Sequence, residues 1–460
     1  MTELAEGPPL LRHPDVVMGA PLRRGDTVVH YVKDPRTGWY YQMGAREFFL
    51  LSQMDGRRTR AEIEAAYAER FRRRLTDAHW ESLLRMLHSR HLLVDPDATG
   101  TGDTGADPIA QSRVRAETER RSVRRRLMYA RFPLFKPDRF LRWLAPRVGL
   151  LYSPWFVVPA LVASLIALGM AMADVAALWS ASRMNVGHPL AVVSFGTTWL
   201  VIALHEAAHG LTSRRYGGAV AEMGVLWRFP LLTPYCKTDD VVLFTRRRHR
   251  VYTAFSGVFV NLLALVPFTV AWHVTTPGTH GHALAGSLLL YGGLATVSNL
   301  LPVFRLDGYF MLNHAVGLAD LRAETYRFWG ALVRRQPTGS YRRGDRVLYT
   351  LYGCAVFGTL TAVLVGIVGV WYWSLERWIG PFGAVAVLGT EAVLVFFGIR
   401  FLIRRRARRR AAAQEAAVAT RPAVPATGDA TSQAEPAVNE NTAAAGKEPV
   451  AASAPTGGTV

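Results

Sequence analysis

Six long apolar stretches dominate the hydrophobic pattern of the chain. Each approaches the length of about 20 apolar residues that a helix needs to cross a bilayer. They are residues 150–173, 189–211, 251–272, 283–301, 347–373 and 381–403. Half of the 460 residues are hydrophobic and only 19% are charged, a balance that favours a membrane protein over a soluble or disordered one. The pattern predicts a polytopic α-helical membrane protein with about six spans.

The charged residues between these stretches predict an orientation. Basic runs precede the first, third and fifth stretches and follow the sixth, whereas the other loops carry almost no Lys or Arg. Because basic loops stay in the cytoplasm, we expect a multi-pass protein of the cell membrane with both termini cytoplasmic. The formal net charge of +19 is then explained by topology and by contact with anionic lipid. No nucleic-acid partner is expected.

Residues 15–97 have a different pattern, which predicts a small α+β domain. The strands TVVHYV and WYYQM flank the turn DPRTG, and three helical segments follow. The second helix opens with Thr59 and Glu62, spaced as in a capping box.

The remaining segments are assigned by composition. We expect a Gly, Asp and Thr-rich linker and a basic juxtamembrane segment over 98–148, and a membrane domain over 149–403. Residues 404–460 begin with a basic run and become rich in Ala, Pro, Thr and Glu, which predicts a disordered tail. The start of the chain lacks a signal-peptide pattern, so insertion is expected from internal segments. Two cysteines exclude a disulfide framework.

The second apolar stretch ends in HEAAH, a pattern that indicates a zinc site. His205 and His209 are one helical turn apart, and Glu206 lies beside them. In this geometry two imidazoles bind the metal and the carboxylate activates a water molecule. The alternative is a polar trio that packs between helices through hydrogen bonds. Ionisable groups are costly inside a membrane, which favours the metal.

A third ligand is expected from SNLLPVFRLDGYFML, which follows the fourth stretch. Asp307 stands there beside Gly308, at the predicted cytoplasmic end of its span, and the two histidines lie toward the same face. A catalytic zinc needs three protein ligands and an open position, which Asp307 would complete. Taken alone, an Asp-Gly pair more often marks a turn.

Together, HEAAH and NLLPVFRLDGYF resemble the paired signature of the site-2 protease family of intramembrane zinc metalloproteases. The form RLDGYF is similar to the bacterial branch of peptide zinc metalloproteases. The resemblance implies that His205, His209 and Asp307 bind one Zn²⁺ and that Glu206 is the general base. It also implies that Asn299 holds the substrate or the oxyanion. The chain departs from the family pattern at Val258, where a proline is frequent.

The N-terminal segment, with REFFLLSQMDGRRTRAEIEAAY at its centre, resembles PqqD-like peptide-recognition domains, which have a winged-helix fold. The resemblance implies that a leader peptide binds by adding a strand to the sheet edge. Two alternatives stay open: DNA binding and a solvated basic face near an anionic membrane. The arginines that raise them are Arg57, Arg58, Arg60, Arg70, Arg72, Arg73 and Arg74.

The leading hypothesis is therefore a membrane zinc metalloendopeptidase that acts in peptide maturation or export. Its partners would be a peptide or membrane-protein substrate and the lipid bilayer. The competing hypotheses are a non-catalytic membrane adaptor or transport partner and a membrane-tethered DNA-binding regulator. Two further residues have open roles. Glu391, in the last stretch, is either a functional group or a hydrogen-bonded helix contact, and Cys236 is favoured as an inert cysteine over an inhibitory zinc ligand.

Overall fold

The computed structural model describes residues 10–94, 129–228, 231–339 and 341–419. Within this part, residues up to Gly353 form one compact unit and those from Cys354 form a second. The predicted linker before residue 129 and the tail beyond residue 419 lie outside the described residues.

The chain begins with a small antiparallel sheet built around one central strand. Its strands are β1 (Val17–Met18), β2 (Leu22–Arg24), β3 (Thr27–Asp34) and β4 (Trp39–Gly44). β3 pairs with β4 over its whole length on one side and with β2 and β1 on the other. The two predicted strands are confirmed as β3 and β4. β1 and β2 are too short to leave an alternating pattern in the sequence.

Three helices cover this sheet. They are α1 (Ala45–Gln53), α2 (Arg60–Phe71) and α3 (Asp77–Ser89). The capping box before α2 is confirmed, since the Thr59 hydroxyl accepts from the Glu62 amide and the Glu62 carboxylate accepts from the Thr59 amide. Side chains of the sheet and all three helices share one apolar core, which includes Val32, Met43, Leu51, Ile63, Trp80 and Leu87. The predicted N-terminal strand and helix domain is thus present.

A second sheet lies among the apolar helices. Its strands are β5 (Tyr129–Phe135), β6 (Met223–Arg228) and β7 (Leu231–Cys236), in the order β5-β6-β7 and antiparallel throughout. A short helix, α4 (Asp138–Leu144), follows β5. We had assigned this stretch to the juxtamembrane segment, because its arginines and Pro133 obscure the strand pattern and its partner β6 is distant in sequence.

In the described part of the chain, five helices are long and apolar enough to cross a membrane. The first four coincide with the first four predicted spans and are α5 (Pro154–Ala173), α7 (Leu190–Arg215), α8 (Arg247–Val274) and α9 (His280–Leu300). The shorter helices are α6 (Val175–Ser182), α10 (Asp307–Val316) and α11 (Leu321–Val333).

The six predicted spans correspond to five long apolar helical elements, because the last two share one element. The last two predicted spans lie in one helical element, α12 (Arg343–Ala419), which is interrupted only at Gly380. This residue has φ 74°, a value that favours glycine, and Pro381 follows it. The residues just before Gly380 contain no turn signal and stay helical. α12 also continues to Ala419, so the predicted tail begins as helix. Within it, the Trp371 indole donates to Glu391 at 3.1 Å, as the helix-contact hypothesis predicts.

Small side chains let α5, α6, α8 and α9 pack closely. Their shared core consists of Ala167, Ala171, Leu178, Ala181, Leu265, Trp272, Ala285 and Leu289. Gly286 lies against the Trp272 indole, where an added Cβ would stand only 2.7 Å from a ring carbon. α8 therefore has a fixed position between its neighbours, which matters because it also passes the candidate site.

Hydrogen bonds and an ion pair of Arg23 attach the N-terminal domain to the helices that follow it. The Arg23 amide donates to Gly317 at 3.0 Å, the Ala319 amide donates to the Arg23 carbonyl at 2.8 Å, and the Arg23 side chain pairs with Asp345 at 2.9 Å.

A second attachment is centred on one carboxylate. The buried carboxylate of Asp240 accepts from the Lys33 ammonium and the Tyr40 hydroxyl, and also from the Ala219 amide at 2.7 Å. Burial and the negative charge of Asp240 raise the pKa of the Tyr40 phenol, so this hydroxyl remains a neutral donor. A single carboxylate thus joins β3 and β4 to the part of the chain that follows α7.

Replacing the Asp240 carboxylate should weaken the attachment of the N-terminal domain. Asp240→Ala leaves Lys33 and Tyr40 without their acceptor, a loss that costs about 3 kcal/mol for a buried pair. We expect faster amide hydrogen exchange in β3, β4 and Gly317–Ala319 of the full chain. Asp77→Ala, at an exposed acid of α3, is the matched control and should leave these amides unchanged. Equal exchange in both variants would contradict the docking described here.

Candidate metal centre

Two histidines of α7 define the centre. His205 and His209 are separated by four residues, so their side chains lie on the same face of the helix. Both are buried, and their Nε2 atoms are 3.1 Å apart with the ring planes nearly perpendicular. The spacing that the sequence indicated therefore places two imidazole nitrogens at one point.

Asp307 reaches the same point from the first residue of α10. Its position depends on the next residue, Gly308, which packs against the end of α9. A Cβ at Gly308 would stand 2.2 Å from the Leu300 carbonyl oxygen and 2.8 Å from that of Asn299. Only glycine permits this approach. The Asp-Gly pair is thus a packing device that brings the carboxylate of α10 to the histidines of α7.

The three side chains have the separations of metal ligands. Asp307 Oδ2 lies 3.0 Å from His205 Nε2, and Asp307 Oδ1 lies 3.3 Å from His209 Nε2. Donors of a tetrahedral zinc site with bonds near 2.0 Å are about 3.3 Å apart. All three residues are at least nine-tenths buried. The trio is therefore positioned to hold a metal ion.

A backbone carbonyl fixes the tautomer of one histidine. His209 Nδ1 lies 2.7 Å from the Thr253 carbonyl oxygen on α8, so Nδ1 carries the proton and donates it. Nε2 then has a free lone pair that faces Asp307 and His205. Support of this kind behind a ligating imidazole is typical of protein metal sites.

The backbone of α8 closes one side of the centre at Gly257. A Cβ there would stand 2.4 Å from His209 Nε2 and 2.6 Å from His205 Nε2, the two atoms that face the metal position. Any larger residue would therefore displace the imidazoles. No role for Gly257 was predicted from the sequence, where it appears only as the glycine before Val258 in SGVFVNLLAL.

Glu206 lies beside the trio but is held by a different contact. Its Oε2 accepts a hydrogen bond of 2.9 Å from the backbone amide of Cys236, the last residue of β7. This contact leaves Glu206 out of the group of metal donors and orients its carboxylate. β7 can approach α7 here because residue 210 is glycine, where a Cβ would stand 2.9 Å from the Cys236 sulfur.

The thiol of Cys236 is not among the candidate metal donors in the described part of the chain. Burial, together with the negative charge of Glu206, raises its pKa well above the ordinary value. The neutral thiol is a poor ligand and nucleophile, in agreement with the favoured hypothesis of an inert cysteine.

A cavity of 160 Å³ lies between the centre and the N-terminal domain. Leu22, Tyr31 and Tyr40 line it from the domain, and His209 and Asp307 line it from the centre. Polar residues form much of the remaining wall: Thr238, Asp239, Arg305, Asn313 and His314. Burial lowers the pKa of His314 to about 3, with a contribution from the charge of Arg250, so a neutral imidazole borders the cavity.

A second cavity, of 210 Å³, lies between α7, α8 and α9. Asp307 lines this cavity as well, together with His205 and Glu206. Asn299, which the sequence proposed as a substrate or oxyanion residue, lines it from the end of α9. Asn261 of α8 also borders it and had not been proposed. The trio and Glu206 thus stand between two cavities of different character.

The chemistry of the donor set fits a divalent cation. Two imidazole nitrogens and one carboxylate oxygen suit zinc and neighbouring transition metals better than magnesium or calcium, which prefer oxygen ligands. With its proton on Nδ1, His209 presents Nε2 as an acceptor, and this atom faces the carboxylate oxygen Oδ1 of Asp307 at 3.3 Å. A trio that packs only through hydrogen bonds therefore leaves two buried acceptors facing each other, at a cost that a bound cation would offset.

Comparison of the chain with models of known families, with curated proteins and with solved structures found no match.

Because α8 lies so close to the two imidazoles, adding one methyl group at Gly257 should have a large effect on metal binding. Gly257→Ala should push the two imidazoles apart and lower metal occupancy at least tenfold, because ligand geometry must hold within a few tenths of an ångström. Metal content of the purified full chain by mass spectrometry is the measurement. Gly196→Ala is the control, since a Cβ at this position of α7 meets nothing within 4 Å. Unchanged occupancy in Gly257→Ala would contradict the position assigned to the metal.

Proposed function

We propose that this protein is a membrane-embedded zinc metalloendopeptidase of the site-2 protease type, which hydrolyses a peptide bond near the cytoplasmic face of the membrane. The observation that carries the proposal is the convergence of His205, His209 and Asp307 with Glu206 beside them. The resemblance of HEAAH and RLDGYF to that family, noted from the sequence, supports the same reaction. Its context would be peptide maturation or export.

The membrane setting is supported by the five apolar helices and by the distribution of charge around them. Arg214 and Arg215 end α7, and Arg247 and Arg248 begin α8. The histidines of α7 and Gly257 of α8 lie nearer to these basic ends than to the opposite ends. In the proposed topology both termini and the zinc centre are toward the cytoplasm.

Zinc is the proposed cofactor, held by His205, His209 and Asp307. When bound, the cation would supply a Lewis acid that polarises the scissile carbonyl and lowers the pKa of a water molecule. Glu206 is the proposed general base. Its carboxylate takes the proton from the attacking water and returns it to the amine that leaves, and the Cys236 amide keeps one of its oxygens oriented.

Asn299 has a supporting role in this proposal. It borders the same cavity as Glu206, where its side-chain amide is available to hold the peptide or the developing oxyanion. Its carboxamide would act by hydrogen bonding, without exchange of a proton.

The N-terminal domain is proposed to recruit the substrate. Its sheet borders the cavity that leads to His209 and Asp307, so a peptide captured on the domain is close to the site of hydrolysis. The PqqD-like resemblance favours capture by strand addition, and β4 has one edge that pairs with no other strand in the described residues. The proposed partners are a peptide or membrane-protein substrate and the bilayer, without nucleic acid.

One substitution separates metal binding from hydrolysis. Glu206→Gln keeps the shape of the side chain and the three metal ligands but removes the base. We expect this variant to retain about one zinc per chain and to cleave peptides 100- to 10,000-fold more slowly, the usual range for loss of a general base. A proteome-derived peptide library with the detergent-purified full chain serves as the substrate, and new termini are read by mass spectrometry.

Two comparisons make the experiment decisive. His209→Ala should lose both zinc and cleavage, whereas Glu222→Gln, at a carboxylate outside the centre, should retain both. If the wild-type chain binds zinc but cleaves nothing in the library, the proposal of a protease is overturned in favour of a non-catalytic membrane adaptor. If Glu206→Gln cleaves as fast as the wild type, the role of Glu206 is wrong.

A further inference from the structure

The cavity between α7, α8 and α9 is mostly apolar. The apolar residues of its wall include Val201, Ile202, Ala264, Leu265, Phe268 and Leu288. At its inner end it meets His205, Glu206 and Asp307. An apolar group in this cavity would therefore be directly adjacent to the atoms that perform the proposed chemistry.

The size of the cavity suits one large side chain. Its volume is 210 Å³, whereas an apolar cavity of about 150 Å³ is enough to bind benzene. A phenylalanine or leucine side chain therefore fits, and a glycine or alanine would leave most of the apolar wall uncovered. Covering such a wall stabilises a complex in proportion to the area removed from water.

Two buried polar atoms at the cavity lack a partner. The Asn261 carboxamide oxygen and the Thr233 hydroxyl make no hydrogen bond, although Asn261 is only 6% exposed. Leaving such a group unpaired costs about 1–3 kcal/mol. The main chain of a bound peptide carries the N–H and C=O groups that would pair with them. The cavity thus combines an apolar wall with polar atoms suited to a peptide backbone.

The cavity beside the N-terminal domain has a more mixed wall. Its polar residues include Asp239, Arg305 and Asn313, and apolar residues such as Val241 and Phe310 lie among them. The two cavities share Asp307. A peptide that passes the centre would accordingly meet a mostly apolar pocket and a cavity of mixed polarity.

We propose that the cavity between α7, α8 and α9 is a specificity pocket for a large apolar side chain adjacent to the scissile bond. The cavity beside the N-terminal domain receives the peptide segment on the other side of that bond. This inference rests on the proposed function and adds to it a substrate class: peptides with a large apolar residue at one position next to the cut.

Metal-binding probes test the pocket without requiring cleavage. The full chain is loaded with Co²⁺, and its visible absorption reports binding of acetohydroxamic acid and of phenylacetohydroxamic acid, which differ by a phenyl group. We expect the phenyl compound to bind at least tenfold more tightly to the wild-type chain, because the ring enters the apolar cavity.

Two variants change the pocket in opposite directions. Ala264→Leu fills it and should abolish the preference for the phenyl compound while binding of acetohydroxamic acid is retained. Phe268→Ala enlarges it and should bind naphthylacetohydroxamic acid more tightly than the wild type does. Ala163→Leu, at an exposed position of α5, is the control and should behave as the wild type. The Co²⁺ spectrum verifies that the centre is intact in each variant.

The outcomes distinguish the pocket from the function on which it rests. Equal affinity of the wild type for the two compounds, or an unchanged preference in Ala264→Leu, overturns the pocket while the metal centre stands. Failure of the wild-type chain to bind Co²⁺ overturns the metal centre itself, and the pocket with it.

Discussion

Two imidazoles and a carboxylate, packed together among apolar helices, place the strictest constraint on this structure. Taking such groups out of water is costly unless they pair well, and here their facing atoms are 3.0–3.3 Å apart while His205 Nδ1 lacks any partner. To bring these side chains together, the backbones of α8 and α10 have to pack unusually closely against neighbouring helices. Gly257 and Gly308 are the positions where α8 and α10 make that approach. The helix packing and the candidate metal centre therefore depend on each other, and a cation is the natural counterpart of the arrangement.

The surroundings of the centre suggest how a peptide would reach it. Asp240 and Arg23 attach the N-terminal domain so that its sheet borders one cavity, and the long apolar helices border a second, mostly apolar one. A domain held in this way adds no metal ligand. In the proposed function it would restrict which chains can approach, and it would bring recruitment and hydrolysis within one compact unit. In the proposed function, selectivity thus arises from both sides of the scissile bond.

Much of this arrangement could be predicted from the sequence because it depends on local periodicity. The i, i+4 spacing of His205 and His209 fixes their shared face, and the turn-flanked strands and the Thr59 capping box predict the N-terminal domain correctly. Asp307, a distant partner of the two histidines, was predicted with the help of the family resemblance, but other contacts between distant segments were not predicted. β5 pairs with β6 far along the chain, and Gly257 acquires its meaning only when α8 lies against α7. The last two predicted spans share one long helical element, and Gly380, the residue with non-helical backbone inside it, lies between them.

X-ray absorption at the zinc edge of the purified full chain would show whether the trio holds a zinc ion. We expect about one zinc per chain, coordinated by nitrogen and oxygen near 2.0 Å, with the scattering pattern of two imidazoles. Absence of bound metal would contradict this expectation. So would a sulfur ligand near 2.3 Å, because that would place the ion at a cysteine and away from His205, His209 and Asp307.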